Sequence, residues 1–319
     1  MTKRIGSIGI LMLGGAKRVS MARHFISAAG RAGYEARIYS YELDSLVPIS
    51  SVAKVIIGKR WNDPLVFEDL HNTIVENDID IMVPFVDGAV EIAARYSYGD
   101  CFSPACTPLL AAMMFDKGIA AQLFEREHII IPRTYSRGAP RYPLIAKPRL
   151  GSASRGIKIV NSSADFRSID PAQYLIQEYI EKKREYTVDC YISQQGEIIT
   201  IVPRERLETA GGEVTRTITV NRPDIIEQSR YIIDTLKLTG AITLQFLEDS
   251  TDGRVMLMEI NPRLGGGAVT AIAAGADIPA MIIAEALGNP LPREVKGKPG
   301  TLVARYLQET VFNVNTNEK

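Results

Sequence analysis

Cysteine is scarce in this chain, and what there is stands badly placed for chemistry. Cys101, Cys106 and Cys190 are odd in number and none belongs to a Cys-x-x-Cys pair, so neither a disulfide framework nor a zinc site is expected. Histidine is as sparse: His24, His71 and His128 are scattered, without the spacing of a metal site or a catalytic triad. Excess charge is missing too. Lys plus Arg number 37 and Asp plus Glu 37, so no global field recruits nucleic acid or an acidic membrane. No apolar run is long enough for a membrane span, because Gly14, Gly15 and Lys17 stop the stretch Ile5 to Leu13 early. These glycines are not a dinucleotide fingerprint, since Gly9-x-x-x-x-Gly14-Gly15 has the wrong spacing, and they read as a strand-to-helix turn. Lys17 and Arg18 can still reach an anion at the next helix's N-terminus. What remains is a small-molecule ligand as the expected partner, with no nucleic acid and no membrane, and reduced thiols in the cytoplasm.

The chain is rich enough in apolar residues, 46% of 319, to bury two or three lobes rather than one. Its first third alternates β-branched runs with helical periodicity. Strands are expected over Ile5 to Leu13, Glu35 to Tyr39 and Ile79 to Pro84. Helices are expected through Met21 to Ala29, over Leu65 to Val75 and from Asp87 onward. That pattern predicts a helix-covered parallel sheet, one α/β domain over residues 1–107. Leu109 to Glu127 then reads as two helices broken around Asp116. Beyond it the texture changes to short antiparallel strands: Leu144 to Lys147, Gly156 to Val160, Tyr174 to Tyr179, Tyr186 to Ile192, Ile198 to Val202 and Val214 to Val220. A helix over Asp224 to Leu236, strands Ala241 to Leu247 and Val255 to Ile260, and a helix over Ala280 to Leu287 follow. The tail, 313–319, is expected to fray.

Three stretches carry chemistry. In the first, a strand ends in Lys147 and opens into Pro148-Arg149-Leu150-Gly151-Ser152-Ala153-Ser154-Arg155-Gly156. Successive backbone amides in such a loop can surround phosphate oxygens, with Lys147 supplying charge at the strand's end. A plain Gly/Ser hairpin turn fits the same residues. In the second, Gln177-Glu178-Tyr179-Ile180 runs into the charged turn Glu181 to Arg184 and then Glu185. Its strand edge can offer backbone groups to an adenine, and Glu185 a carboxylate to ribose hydroxyls; a solvated hairpin is the plainer alternative. In the third, Gln245 precedes Glu259-Ile260-Asn261-Pro262-Arg263 on the next strand. Period-two alternation puts Glu259 and Asn261 on one face, with Arg263 in line if Pro262 does not break the strand. A carboxylate with amide oxygens suits Mg²⁺ completed by phosphate, and Arg263 suits charge on a transferring phosphoryl group. A polar strand end with a Pro turn is the competing reading.

In order and spacing these stretches resemble the ATP-grasp superfamily, most of all the ATP-binding domain of carbamoyl-phosphate synthetase large subunits, over about residues 108–305. The resemblance implies a pre-ATP-grasp α/β domain followed by a two-lobed ATP-grasp fold over 108–312, with the small lobe about 115–180 and the large lobe about 181–312. It implies ATP with Mg²⁺ or Mn²⁺ as cofactors. Lys117 (after Asp116), Lys147, Gly151, Ser152, Ser154 and Gly156 would face the phosphates, and Gln177, Glu178, Tyr179, Ile180 and Glu185 the nucleoside. Gln245, Glu259 and Asn261 would be the metal ligands. Catalytic roles would fall to Arg263 and Lys147, and to Arg204 and Arg206, whose segment Pro203-Arg204-Glu205-Arg206-Leu207, with Arg216, resembles a basic stretch on the acceptor side of stand-alone relatives. A solvated, salt-bridged turn fits that stretch equally well. The Gly151 to Gly156 loop would be a lid.

The activity implied is transfer of the γ-phosphoryl group to a small carboxylate, giving an acylphosphate that an amine attacks. Only one ATP-grasp module is present, so carbamoyl phosphate synthesis by this chain alone is not expected. The alternatives are a component of a split carbamoyl-phosphate synthetase and, from another class, a non-catalytic ATP-binding sensor. A homodimer or a partner subunit fits either. A nicotinamide-dependent oxidoreductase is disfavoured by the missing fingerprint.

Overall fold

The computed structural model describes residues 6–136, 141–151 and 155–313. They divide into two units, one running to Ser103 with Pro279–Pro290 and the residues from Arg305 on, the other holding Pro104–Ile278 and Leu291–Ala304. In the first unit, β1 (Ser7–Leu13), β2 (Glu35–Glu42), β3 (Lys54–Ile57) and β4 (Ile81–Pro84) form a parallel sheet in the order β3-β2-β1-β4. Helices α1 (Val19–Arg31) and α2 (Val66–Glu76) connect β1 to β2 and β3 to β4, and α3 (Asp87–Arg95) follows β4. Ile8 and Ile10 to Leu13 are all buried, as befits a central parallel strand covered on both faces. The glycine turn after β1 has an internal occupant. Glu42 accepts hydrogen bonds from the Gly15 and Ala16 amides and from Ser40 Oγ at 2.6 Å. The amides of that turn are thereby satisfied by the chain's own carboxylate.

The second unit opens with α4 (Pro108–Phe115) and α5 (Lys117–Arg126), parted by Asp116, whose carboxylate caps α5. A three-stranded antiparallel sheet, β6-β5-β7, is built from β5 (Leu144–Pro148), β6 (Lys158–Val160) and β7 (Tyr174–Glu178), with α6 (Ser163–Ser168) beside it. A six-stranded sheet in the order β12-β11-β8-β9-β10-β13 follows. It holds β8 (Lys183–Ile192), β9 (Ile198–Ala210), β10 (Glu213–Thr219), β11 (Gly240–Asp249), β12 (Val255–Asn261) and β13 (Leu302–Ala304). Helix α7 (Pro223–Leu236) joins β10 to β11 and α8 (Val269–Ala273) comes after β12, whereas α9 (Ile278–Ala286) belongs from Pro279 on to the first unit. No helix among the described residues is long and apolar enough to cross a membrane.

The large sheet has two unlike faces. Tyr186, Val188, Cys190, Leu244, Phe246, Leu257 and Ile260 pack with Leu123 and Phe124 of α5 and Ile232 and Ile233 of α7 in one buried cluster. The other face carries Thr187, Asp189, Arg204, Thr217, Thr219 and Thr243, all buried and all polar. Strict alternation cannot explain β12, since Val255 and Leu257 lie in the apolar cluster while Glu259 pairs with Gln245 on the polar face. A β-bulge resolves it: Gln245 pairs with Glu259 but Phe246 pairs with Leu257, leaving Met258 as the extra residue.

β9 runs eight residues past the expected end at Val202. Pro203 is tolerated in mid-strand with its carbonyl accepting from Val220. The short elements β3, α6, α8 and β13 were not expected. The start of the first expected strand at Ile5 and the tail from 314 lie outside the described residues.

Candidate functional site

On β5 and β7 alternation turns Leu144, Ala146 and Ile176 toward the small sheet's core, and leaves Ile145, Lys147, Leu175 and Gln177 on the opposite face. That face, α5 and the end of β12 enclose one pocket. Its walls include Met114, Phe124, Leu175 and Met258, and its polar groups are Lys117, Gln177 and Glu259. Apolar walls with a few convergent polar groups suit a flat heterocycle beside charge.

Lys147 Nζ donates to Gln177 Oε1 at 3.1 Å, and Gln177 is fixed in turn by donating Nε2 to the Pro132 carbonyl. Burial pushes the Lys147 ammonium below its ordinary pKa; Glu259 and Glu185 work against that, Lys183 and Lys117 with it. The four charges named there lie within electrostatic reach of Lys147. Lys117, the first residue of α5, donates Nζ to the Gly151 carbonyl at 2.7 Å and stands 3.9 Å from Glu259 Oε2.

An anchor that sequence reasoning missed holds this end together. Asp116 accepts from Arg149 Nε and Nη2 at 2.9 and 2.7 Å, while also accepting from the Gly118 and Ile119 amides. The Lys117 amide donates to the Arg149 carbonyl. The chain leaving β5 is thereby tied to the start of α5. The legible signal was an Asp capping a helix; its Arg partner, 33 residues away, left none. Gly151 and Gly156 have positive φ, 124° and 73°. Ser152 and Ser154, with Ala153 between them, lie outside the described residues.

At the turn between β7 and β8, Glu178 is committed elsewhere than to a ligand. Its carboxylate accepts from the Arg133 amide at 2.9 Å and pairs with Arg254 at 3.1 Å. Ile180 is buried with Leu247 and Met256, and the Lys183 ammonium lies 5.7 Å over the Tyr179 ring. Glu185 sits between Lys183 at 3.8 Å and Arg206 at 3.4 Å.

On the large sheet, Gln245 and Glu259 are cross-strand partners, as are Thr243 and Asn261. Asn261 Nδ2 donates to Glu259 Oε1 at 2.9 Å, and Arg263 Nη2 reaches Asn261 Oδ1 at 3.5 Å. Pro262 does not separate them: the Arg263 amide turns back onto the Asn261 carbonyl at 2.7 Å. These donors are hard oxygens with one carboxylate among them, a set that fits Mg²⁺ completed by phosphate. Among the described residues no cluster of three His, Cys, Asp or Glu could hold a metal.

The basic stretch on β9 divides. Arg206 faces the cleft, pushed below its usual pKa by burial, raised by Glu185 and Glu259 and lowered by Arg204. Arg204, expected to hold an anionic substrate, is paired with the chain's own carboxylate. Its Nε donates to Asp189 at 2.7 Å with both side chains almost wholly buried, and Gly267 packs so tightly on it that an added Cβ would lie 2.8 Å from its guanidinium carbon. The physical reason is its neighbour across the ladder: a buried carboxylate on β8 demands a cation. Thr243 Oγ1 donates to the Arg263 carbonyl at 2.8 Å, so the glycine loop bearing Arg263 rests on Thr243 and Arg204. Arg216 pairs with Glu208 at 3.2 Å on the exposed hairpin, the solvated alternative.

Two lobes, one a three-stranded and one a six-stranded antiparallel sheet, closing on a pocket with lysines on one side and oxygen donors on the other, define a nucleotide-clamping class of protein. This is the ATP-grasp fold. A family model described as ATP-grasp in the biosynthetic pathway with Ter operon matches residues 170–309. N5-carboxyaminoimidazole synthetase of Staphylococcus aureus, solved with ADP, is similar with a TM-score of 0.72 at 18% identity, covering 92% of this chain and 81% of its own. The biotin carboxylase–β-γ-ATP complex of Campylobacter jejuni is similar with a TM-score of 0.69 at 20% identity, over 89% and 72%. The biotin carboxylase domain of Hydrogenobacter thermophilus 2-oxoglutarate carboxylase, solved with MgADP, ADP and bicarbonate, has a TM-score of 0.72 at 18% identity, over 90% and 71%. At these identities the likeness is one of fold. A curated relative, the mitochondrial alpha subunit of Arabidopsis thaliana methylcrotonoyl-CoA carboxylase, is 25% identical over 173 residues, 47% of this chain and only 23% of that protein. The narrower likeness to carbamoyl-phosphate synthetase rests on the motifs alone.

Proposed function

We propose that the chain is an ATP-dependent, ADP-forming carboxylate–amine ligase of the cytoplasm. The observation that carries this reading is Lys117 and Glu259 lining one pocket, with Lys147 in electrostatic reach of both and Gln245 and Asn261 beside Glu259 on the sheet. A carboxylate oxygen of a small acid attacks the γ-phosphorus of ATP and ADP departs; an amine then attacks the acyl carbon, inorganic phosphate leaves with its bonding pair, and the amine's proton passes to solvent. Lys117 and Lys147 hold phosphate charge, Arg206 and Arg263 flank the γ-phosphoryl position, and Gln245, Glu259 and Asn261 present oxygens to Mg²⁺. The metal ion supplies charge neutralisation across the phosphate oxygens when bound. The Met114, Phe124, Leu175 and Met258 walls exclude water from the nucleotide.

No protein nucleophile is called for, and the thiols support that. Burial pushes Cys101 and Cys106 up to about 12, and Cys190 is fully buried and well above its usual value. The acid is small, and bicarbonate heads the panel because one similar structure carries it. ADP release is assayed against small acids and amines with Mg-ATP. Glu259→Gln is expected to lower turnover by about 10²–10³-fold while weakening ATP binding far less. Tight Mg-ATP binding without ADP release across the whole panel would turn the assignment to a nucleotide sensor.

A further inference from the structure

The oxygen donors of this site are poor in charge. Gln245 contributes none, Asn261 contributes none, and Glu259 is the sole carboxylate of the three. Both oxygens of Glu259 are already engaged, Oε1 by Asn261 Nδ2 at 2.9 Å and Oε2 by the Lys117 ammonium at 3.9 Å. Lys117 in turn donates to the Gly151 carbonyl at 2.7 Å, a neutral acceptor standing where a phosphate oxygen would serve better. Among the described residues, Lys117, Lys147, Lys183 and Arg206 gather around Glu185 and Glu259, so cations outnumber carboxylates in this group and its local field favours an anion over a free divalent cation. No acidic cluster among the described residues compensates.

We infer that Lys117 is an internal placeholder cation on Glu259, and that Gln245 and Lys117 together impose an order in which the divalent metal enters only with the nucleotide. The inference rests on the cleft being the Mg-ATP site. When triphosphate arrives, the Lys117 ammonium exchanges Glu259 and the Gly151 carbonyl for phosphate oxygens. Glu259 is then free, and the phosphates supply the anionic ligands the chain lacks. A hard, strongly hydrated cation gives up its water reluctantly, so one paired carboxylate and two amides do not hold it unaided. Putting a carboxylate at position 245, or removing the ammonium at 117, should each let the metal bind alone.

The test is Mn²⁺ titration of the full chain by calorimetry and by electron paramagnetic resonance of the free ion, first without nucleotide and then with a non-hydrolysable ATP analogue. The wild type is expected to show no saturable Mn²⁺ binding below about 1 mM alone and clear binding with the analogue. Gln245→Glu and Lys117→Met, checked for folding by circular dichroism, are each expected to tighten Mn²⁺ binding alone by at least about tenfold. Micromolar binding of Mn²⁺ alone to the wild type overturns the order, as does unchanged affinity in both folded variants. If the analogue fails to bind with or without metal, the nucleotide reading falls and takes this inference with it. Tight analogue binding beside tight binding of Mn²⁺ alone removes the order and leaves the nucleotide site standing.

Discussion

The two faces of the six-stranded sheet are made by the same strands and share nothing else. On β8, Tyr186, Val188 and Cys190 point into the apolar cluster, while Glu185, Thr187 and Asp189 point the other way. The apolar face is stabilised by burial, roughly in proportion to the area removed from water. The polar face buries Thr187, Asp189, Arg204, Thr217 and Thr243 at a desolvation cost that hydrogen bonding only partly offsets. Thr187 Oγ1 and Arg204 Nη1 are buried without a hydrogen-bond partner among the described residues, which an ordinary folding core avoids. One face holds the lobe together; the other spends part of that stability on an arrangement useful to a ligand.

The sharpest way to break the contrast is to upset the alternation that keeps Glu259 and Asn261 on one face. Deleting Ile260 would make them neighbours on the strand, so that one of them turns into the cluster of Phe246 and Leu257 while that cluster also loses Ile260. A polar group without a partner there and a missing apolar side chain together cost about 5 kcal/mol, enough to exhaust the stability of a marginal domain. No folded chain is expected by circular dichroism. Deleting Met258 instead removes only the extra residue, leaves Val255, Leu257 and Ile260 on one face with Glu259 and Asn261 on the other, and is expected to fold. A folded, ATP-binding Ile260 deletion would mean that strand register does not place the polar pair.

A smaller effect tests how the polar face supports its loop. In Gly267→Ala the new methyl would lie 2.8 Å from Arg204 Cζ, Arg204 Nη1 and Val214 Cγ1. Arg204 is clamped by Asp189 and cannot swing aside, so the loop from Leu264 to Ala268 must lift, taking Arg263 with it. About 1–3 kcal/mol of stability is expected to go, and turnover is expected to fall by about 10²-fold for a displacement near 1 Å. Urea melts and ADP release measure the two separately. A loss of stability with unchanged turnover would detach the loop's seating from the chemistry.

How legible all this was depended on range. The break at Asp116 could be read because a helix cap is local, and the Glu259–Asn261 pair because two residues on one strand share a face. β9 was cut short at Val202, since Pro203 reads as a stop unless its neighbours on the sheet are known. The bulge left no trace in periodicity, because Leu257 and Met258 are both apolar and either could have been the odd residue. Arg204 looked like a ligand for anions; its true partner, Asp189, lies on another strand, and only pairing in three dimensions brings them together. The partner of Glu178 was hidden in the same way, since Arg254 lies 76 residues off. α6, α8 and β13, at six, five and three residues, are too short to display a period.

The smallest expected effect separates the anchor of the site from its core. Asp116 lies outside the apolar cluster, so Asp116→Ala removes no core packing. It removes the cap on α5 and both bonds from Arg149, at about 1–2 kcal/mol. Burial pushes the Asp116 carboxyl up, but the bonds from Arg149, Ile119 and Gly118 outweigh it and leave the group below the usual carboxylate range. A carboxylate depressed in the folded state stabilises above its unfolded value, near pH 4, and that contribution fades as pH falls through the depressed value. The stability gap between wild type and Asp116→Ala should therefore be widest at neutral pH and narrow below about pH 4, as followed by urea melts across that range. A gap unchanged down to pH 2 would show that Arg149 gains nothing from the charge on Asp116, and that the anchor works by shape alone.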